Sequence, residues 1–240
     1  MLENRTMTTF TTVSGDVLTD VPPHRLSIVV PMYNEIDSVE PFVTAVHEAL
    51  GNYPFEWELL IVNDGSRDGT QQKLDEQARL RGPHVRPIHL WRNFRQTAAM
   101  QAGIDASRGD VVVTLDGDLQ NDPKDIPKLV ARLLKEDLDL VAGWRQNRQD
   151  GLWLRKVPSK IANRIIRKIT QLEFKDLGCS LKAYRASVLK RVSLYGEMHR
   201  FIPAWMATVT SPARMAEEPV SHPARATGES KYGISRTLRV

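Results

Sequence analysis

The chain of 240 residues has one cysteine, no long apolar run and neither of the common glycine-rich nucleotide motifs. The single thiol, Cys179, excludes an intramolecular disulfide framework and a cysteine cluster for zinc, and it favours a reduced, cytoplasmic setting. No stretch approaches the roughly 20 apolar residues that a transmembrane helix requires. The sequence as given therefore predicts a protein that can contact a bilayer but does not span one.

The charges of the chain are distributed unevenly. Residues 1–150 contain 16 Lys and Arg against 23 Asp and Glu, whereas residues 151–240 contain 17 against 6. This basic excess indicates an anionic partner for the C-terminal part, either nucleic acid or an anionic membrane surface, unless it is only a solvated basic face. Residues 1–23 are rich in Thr, Ser and Asp without apolar periodicity or a secretory signal pattern, which predicts a disordered tail.

Short β-branched runs alternate with helical patterns through the first half of the chain. This order predicts an α/β fold with a parallel, doubly wound sheet, whose ligands bind beyond the carboxyl ends of the strands. The predicted strands are residues 26–31, 59–62, 85–90, 111–115 and 138–142, and the clearest helical patterns cover residues 39–50, 97–107 and 126–134.

Polar side chains follow the predicted strands at their carboxyl ends. They are Asn34, Glu35, Asp64, Asn93, Asp116 and Asp118. This coincidence indicates a nucleotide crevice. Neither Gly-x-Gly-x-x-Gly nor a P-loop sequence is present, so we expect a metal ion and side chains to hold the phosphates.

Asp116 and Asp118 stand two residues apart, directly after the apolar run 111–115. Mg²⁺ and Mn²⁺ prefer oxygen ligands, and Mg²⁺ is usually shared between one or two carboxylates and the phosphates of a substrate. Asp-Gly-Asp is also ordinary turn chemistry. The other polar strand ends favour the metal site.

Two segments of the second half are basic. Residues 152–171 place apolar side chains at near-four spacing with Lys and Arg between them, a pattern shared by a helix that covers a sheet and a helix in a membrane interface. Arg225, Ser230 and Lys231 surround Gly228, a composition that suits a pyrophosphate but also a solvated loop.

Several segments together resemble the family 2 inverting glycosyltransferases, which have the GT-A nucleotide-sugar fold. The matching segments are residues 30–35, 62–70, Asn93-Phe94 with Gln96 and Ala98, and residues 116–123 once Asn121 is skipped. Within that family the sequence is most similar to the polyprenyl-phosphate glycosyltransferases, the group of dolichol-phosphate mannose synthase and undecaprenyl-phosphate glucosyltransferase. The segments that carry this similarity are Asp116-x-Asp118-x-Gln120, residues 176–179, residues 199–203 and residues 225–232.

The resemblance implies a GT-A catalytic domain over residues 24–233. Residues 24–122 would form its nucleotide-binding half, residues 123–233 its acceptor and phosphate half, and residues 234–240 the start of a juxtamembrane segment. The implied partners are a UDP- or GDP-sugar donor, a polyprenyl phosphate acceptor and the cytoplasmic face of the membrane, with Mg²⁺ or Mn²⁺ as cofactor, no nucleic acid and room for a homo-oligomer. C-terminal amphipathic segments would face the membrane.

The resemblance also implies residue roles. The nucleotide sugar would contact Pro31, Tyr33, Asn34, Glu35, Asp64, Asn93, Asp116, Gln120, Arg225, Ser230 and Lys231. The metal would be held by Asp116, Asp118 and Gln120. The catalytic residues would be Asp118, Arg145, Asp176, Arg225 and Lys231.

Two features depart from the family pattern. Arg95 stands where many relatives have glycine, and the chain stops at Val240 where relatives commonly continue into membrane helices, as a truncated or peripheral form would. A lipid phosphate is largely ionised at neutral pH and needs no general base, whereas a hydroxyl acceptor would need one, for which Asp176 is the candidate. The alternatives to a glycosyltransferase are a nucleic-acid-binding module and a catalytically silent subunit that binds a nucleotide sugar.

Overall fold

The computed structural model describes residues 18, 20–145 and 174–221. The strands in this part of the chain are β1 (Leu26–Met32), β2 (Trp57–Asn63), β3 (Val85–His89), β4 (Val111–Thr114), β5 (Leu140–Arg145), β6 (Lys182–Arg185) and β7 (Met215–Val220). The α-helices are α1 (Ile36–Leu50), α2 (Thr70–Arg81), α3 (Gln96–Ala106), α4 (Ile126–Lys135), α5 (Ala186–Leu189) and α6 (Ile202–Met206).

The strands form one sheet in the order β3-β2-β1-β4-β6-β5-β7. Neighbouring strands pair in parallel except at β6, which is antiparallel to both β4 and β5. The predicted α/β fold with a mostly parallel sheet is therefore confirmed. The sequence did not predict β6 and β7, and β5 lies later in the chain than the strand predicted over residues 138–142.

The core lies on both faces of the sheet because the side chains of each strand alternate between them. In β1, Leu26, Ile28 and Val30 belong to the buried cluster that includes residues of α1, α2 and α4, whereas Val29 belongs to the cluster that includes residues of α3, α5 and α6. Every residue of β1 is buried. Burial on both faces is why this strand reads as a continuous apolar run in the sequence.

Some predicted segments lie outside the described residues. They are most of the N-terminal tail, the basic segment 152–171 and the C-terminal residues 222–240. Within the part of the chain that the structure describes, no helix combines the length and the apolar character needed to cross a membrane.

Helix α3 approaches the sheet closely at Gly103. A Cβ atom added there would lie 2.4 Å from Val29 Cγ1 and 3.0 Å from Val62 Cγ2. Both neighbours are fully buried, stiff, β-branched side chains of the central strands. The absence of a side chain at Gly103 therefore sets the distance between α3 and the sheet.

We expect Gly103→Ala to lower the free energy of unfolding by about 1–3 kcal/mol, the usual cost of overpacking a core. At an open helical position the same change stabilises by about 1 kcal/mol. Gly51→Ala is the matched control, because a Cβ there would come no closer than 3.4 Å to another atom. Urea unfolding of both variants gives the comparison, and a Gly103→Ala protein more stable than wild type would contradict the packing argument.

Candidate active site

The carboxyl ends of β1, β2, β3 and β4 lie at the same edge of the sheet. The chain adds β2 and β3 on one side of β1 and then places β4 on the other side. Such a reversal opens a crevice beyond the strand ends, where ligands bind in open α/β sheets. The structure brings to this edge the predicted residues Pro31, Tyr33, Asn34, Glu35, Asp64, Asn93, Asp116, Asp118 and Gln120.

Hydrogen bonds from backbone N–H groups to side-chain oxygens tie the loop after β1 to the loop after β2. The Asn34 N–H donates to Ser66 Oγ at 2.9 Å, and Asn34 Oδ1 accepts from the Arg67 N–H at 2.9 Å. The Glu35 N–H donates to Thr70 Oγ1 at 3.0 Å. Asn34 has a φ of 50°, a left-handed conformation that Asn adopts more readily than most residues. Asn34 thus shapes the crevice wall, a role that its predicted nucleotide contact did not include.

Asp64 links the loop after β2 to the loop after β3. Its side chain is buried, and its Oδ1 accepts the Phe94 N–H at 2.7 Å. Burial raises the pKa of the Asp64 carboxyl, while hydrogen bonds from the Phe94 and Arg95 backbones oppose that rise. A Cβ atom at Gly65 would lie 2.3 Å from the Arg92 carbonyl carbon, so the two loops touch where only glycine fits.

Arg95 has a backbone conformation that is almost exclusive to glycine. It precedes α3 with φ 77° and ψ 163°. Such a conformation costs about 1–3 kcal/mol in a residue with a side chain and persists only where neighbouring contacts impose it. Asp64 imposes it here, because the carboxylate accepts the backbone N–H groups of both Phe94 and Arg95. Arg95, which stands where many relatives have glycine, is thus a point of backbone strain.

Asp116 and Asp118 lie next to each other after β4, and both are half-buried. Asp116 Oδ1 accepts from Gln96 Nε2 at 2.8 Å, and Asp118 Oδ1 accepts from the Gln120 N–H at 3.2 Å. Burial and the neighbouring Asp118 charge raise the pKa of the Asp116 carboxyl, against the influence of Ser180, Lys182 and Arg145. The Asp118 carboxylate disfavours the charge of Asp116, so the pair forms a local excess of negative potential at the crevice.

This pair fits a divalent cation that is shared with a substrate. Among the residues described by the structure, no three or more His, Cys, Asp and Glu side chains are grouped to hold a metal ion by themselves. Mg²⁺ commonly takes only one or two carboxylates from the protein and completes its octahedron with phosphate oxygens and water. The raised pKa of Asp116 is the electrostatic sign of a site that a cation would stabilise.

Arg145 and Asp176 form a bidentate ion pair at the end of β5. Arg145 Nε donates to Asp176 Oδ2 at 2.6 Å, and the terminal guanidinium NH2 donates to Oδ1 at 2.9 Å. The two side chains are only 12% and 8% exposed, respectively. Glu217 on β7 supports the pair, because its carboxylate accepts the Lys175 and Asp176 N–H groups at 2.7 and 2.8 Å. These two predicted catalytic residues are therefore brought together and hold each other in place.

Sequence reasoning missed Lys182, the first residue of β6. Its side chain is buried with 2% of the residue exposed, and its ammonium group donates to the Cys179 carbonyl oxygen. Burial lowers the pKa of Lys182, while the charges of Cys179, Asp176 and Asp116 oppose this. A lysine flanked by Leu181 and Ala183 was a signal that could have identified this buried cation.

Sequence reasoning also missed the inward-facing Asn121, which was skipped when residues 116–123 were matched to the family motif. Its Nδ2 donates to Ser180 Oγ at 2.7 Å, and its Oδ1 accepts the Cys179 thiol at 3.6 Å. Burial raises the pKa of that thiol, as in an inert buried cysteine rather than a nucleophile. Asn121 therefore fastens the loop after β4 to the segment before β6.

His199 contacts the first turn of α3. Its Nδ1 lies 2.5 Å from Thr97 Oγ1, which donates to the Gly196 carbonyl oxygen at 2.7 Å. Burial lowers the pKa of the His199 imidazole to about 4. The ring is therefore neutral near pH 7 and has a structural contact beside the crevice. Three other predicted site residues, Arg225, Ser230 and Lys231, lie outside the described residues.

We expect Arg95→Gly to raise the stability of the protein by about 1 kcal/mol, because the relief of backbone strain exceeds the entropy cost of a glycine. This corresponds to a rise of roughly 2–4 °C in Tm for a protein of this size. Arg92→Gly in the same loop is the control, since Arg92 does not have a positive φ, and it should lower Tm. Calorimetry that finds the same decrease for both variants would show that Arg95 stores no strain.

The buried neutral His199 predicts a pH dependence of stability. The folded-state pKa, about 4, lies below the ordinary value of 6.5, so the unfolded chain binds the proton more tightly. The contribution is complete above pH 6.5 and is lost as the pH falls from 6.5 toward 4. Between pH 7 and pH 5 the Tm of His199→Gln should fall less than that of wild type. Equal falls would indicate that folding does not lower the pKa of His199.

Comparisons with known proteins agree with this geometry. Residues 27–193 match the family model described as glycosyl transferase family 2. The chain is 56% identical over 216 residues to the dodecaprenyl-phosphate galacturonate synthase of Rhizobium johnstonii, an alignment that covers 90% of this chain and 64% of that protein. It is 38% identical over 224 residues to the undecaprenyl-phosphate 4-deoxy-4-formamido-L-arabinose transferase of Klebsiella pneumoniae, covering 93% of this chain and 67% of that protein.

Solved structures with the same fold are more distant in sequence. Glucosyl-3-phosphoglycerate synthase from Mycobacterium tuberculosis, in complex with Mn²⁺ and UDP-glucose, superposes with a TM-score of 0.69 at 17% identity, over 98% of this chain and 79% of that one. Mannosyl-3-phosphoglycerate synthase from Rubrobacter xylanophilus gives a TM-score of 0.69 at 15% identity, over 90% and 70%. At these identities they bear on the fold alone, and they confirm the predicted GT-A fold.

The family predicted from the sequence is thus confirmed, and so is the similarity to polyprenyl-phosphate glycosyltransferases, although the chain spans only 64% of the length of the Rhizobium protein. Because the family model matches residues 27–193 and these curated relatives align with at least 90% of the chain, the protein belongs to glycosyl transferase family 2.

Proposed function

We propose that this protein transfers a sugar from a UDP- or GDP-linked donor to a polyprenyl phosphate at the cytoplasmic face of the membrane, with inversion at the anomeric carbon. The observation that carries the proposal is the Asp116–Asp118 pair at the crevice beside the reversal of strand order. The names of the two curated relatives, both polyprenyl-phosphate sugar transferases, support the acceptor class.

We assign different roles to the described residues at the crevice. Tyr33 is partly exposed beside the loop that Asn34 and Asp64 fix, and we assign the nucleoside to this side. We assign Asp116, Asp118 and Gln120 to a Mg²⁺ or Mn²⁺ ion. The chemistry that this ion supplies is neutralisation of the negative charge that develops on the departing diphosphate. Gln96 orients Asp116 through its 2.8 Å hydrogen bond.

The ion pair between Arg145 and Asp176 favours a phosphate acceptor. Both oxygens of Asp176 accept hydrogen bonds from the Arg145 guanidinium, and this pairing stabilises the charged carboxylate and makes it a weaker base for a hydroxyl acceptor. An acceptor phosphate needs no such base, since it is largely ionised at neutral pH. We propose that Asp176 orients Arg145 toward the phosphates, together with Arg225, Ser230 and Lys231.

The test begins with binding of UDP, GDP and their sugar conjugates, measured by calorimetry with and without Mn²⁺. We expect Mn²⁺-dependent binding of one nucleotide and at least about a tenfold loss of that affinity in Asp118→Asn, which removes one of the negative charges assigned to the metal site. Asp105→Asn is the control, because it removes the same charge from an exposed residue near the end of α3, where Asp105 accepts a hydrogen bond from Gln101. Unchanged nucleotide affinity in Asp118→Asn would refute the metal assignment.

Turnover then tests the acceptor. The purified chain is supplied with the donor that binds and with either a short polyprenyl phosphate or the corresponding polyprenol. We expect product only from the phosphate. Product from the polyprenol at a comparable rate would instead favour a hydroxyl acceptor with Asp176 as base.

A further inference from the structure

We propose that an exposed cluster beside the crevice docks on the anionic surface of a bilayer. The cluster, called here the aromatic–arginine patch, consists of Trp91, Arg92, Phe94, Arg95 and Tyr195. The proposal rests on the proposed function for its choice of partner, since a lipid acceptor requires the crevice to approach a membrane. It assigns a membrane contact to residues other than those of the basic segments 152–171 and 225–232.

The patch exposes large aromatic side chains that ordinary solvent-facing loops lack. Trp91 is 81% exposed, Tyr195 is 71% exposed and Phe94 is 37% exposed. The Arg92 guanidinium lies over two of the rings, with its central carbon 5.0 Å from the Trp91 centroid and 4.3 Å from the Phe94 centroid. The loop therefore presents rings and a cation as one preformed unit rather than as separate flexible side chains.

The two segments of the patch meet at the start of α3. Phe94 and Arg95 lead directly into this helix, and Thr97 in its first turn donates to the carbonyl oxygen of Gly196, the neighbour of Tyr195. The Phe94 N–H is bound by Asp64 in the crevice. The patch is thus fixed to the site on one side and open to solvent on the other.

The charge and the shape of the aromatic–arginine patch favour a bilayer as its partner. Residues 91–95 contain two arginines and no acidic residue, which complements anionic lipid headgroups. Tryptophan and tyrosine favour the headgroup level of a membrane, where one end of the ring is apolar and the other is hydrated. A stable protein interface engages roughly 20–30 residues on each side, whereas five residues projecting from two loops suit insertion into a soft interface.

The experiment measures sedimentation of the full chain with vesicles of phosphatidylcholine containing phosphatidylglycerol. We expect Trp91→Ser combined with Tyr195→Ser to lower the partition coefficient from water to the vesicles at least about tenfold. The variant loses the two large aromatic side chains whose transfer from water into the bilayer favours binding. Leu80→Ser is the matched control. Leu80 is 69% exposed near the end of α2, at the opposite edge of the sheet from the crevice, and its replacement should leave partitioning unchanged. Equal partitioning of the double variant and wild type would overturn the proposal.

A second readout separates contact by the patch from contact by the basic segment 152–171, which contains Trp153. Brominated phosphatidylcholine quenches the fluorescence of tryptophans that enter the bilayer. Quenching should be weaker in Trp91→Phe, a mild change that keeps an aromatic ring. Quenching equal to that of wild type would show that Trp91 stays in water and would also overturn the proposal.

Nucleotide binding in lipid-free buffer tells the two hypotheses apart. Trp91→Ser with Tyr195→Ser should bind the donor nucleotide as wild type does, which also establishes that the variant is folded. If wild type bound no nucleotide, the proposed function would fail. The vesicle experiments would still show whether the aromatic–arginine patch binds the bilayer. If wild type bound nucleotide and did not sediment with the vesicles, only the membrane docking would fail.

Discussion

The parallel register of β1 with β2 and β4 determines where the chemistry of this protein lies. Met32 is level with Asn63, and Val29 is level with Thr114, so the loops that follow all three strands start at the same edge of the sheet. The side chains in those loops then hold one another in place through Asn34, Asp64 and Asp116. A slip of one residue in either pairing would turn the buried faces of the strand toward the wrong layer. The crevice is therefore a consequence of the same register that buries the core.

Charge balance is the second constraint on the site. The crevice collects the carboxylates of Asp116, Asp118 and Asp176, and two buried or nearly buried cations, Arg145 and Lys182, lie among them. Leaving one member of such a set unpaired in a protein interior is costly. Arg145 and Lys182 neutralise part of the negative charge of Asp116 and Asp176. Asp118 adds further negative charge. Under the proposed function, a divalent cation would neutralise the negative charge that remains at Asp116 and Asp118.

Much of the fold was accessible from sequence because buried parallel strands are short apolar runs that end in polar turns. This reasoning found β1 to β4 and the residues that follow them. It missed β6 and β7 for physical reasons. β6 is four residues long and contains a buried lysine, and β7 includes Glu217, Glu218 and Pro219, so neither shows an apolar run. The partners inside the site were equally hidden, since the bond between Gln96 and Asp116 and the pair formed by Arg145 and Asp176 join segments that only the folded sheet brings together.

The reversed direction of β6 brings a second connection to the site. Because β5 ends at the crevice edge and the antiparallel β6 begins there, both ends of the connection between them lie beside the crevice. Its last residues are tightly held, since Asp176 pairs with Arg145 while Leu177, Cys179 and Leu181 are buried in the core. A substitution among these last residues would therefore change the surroundings of the crevice even though it alters no strand pairing.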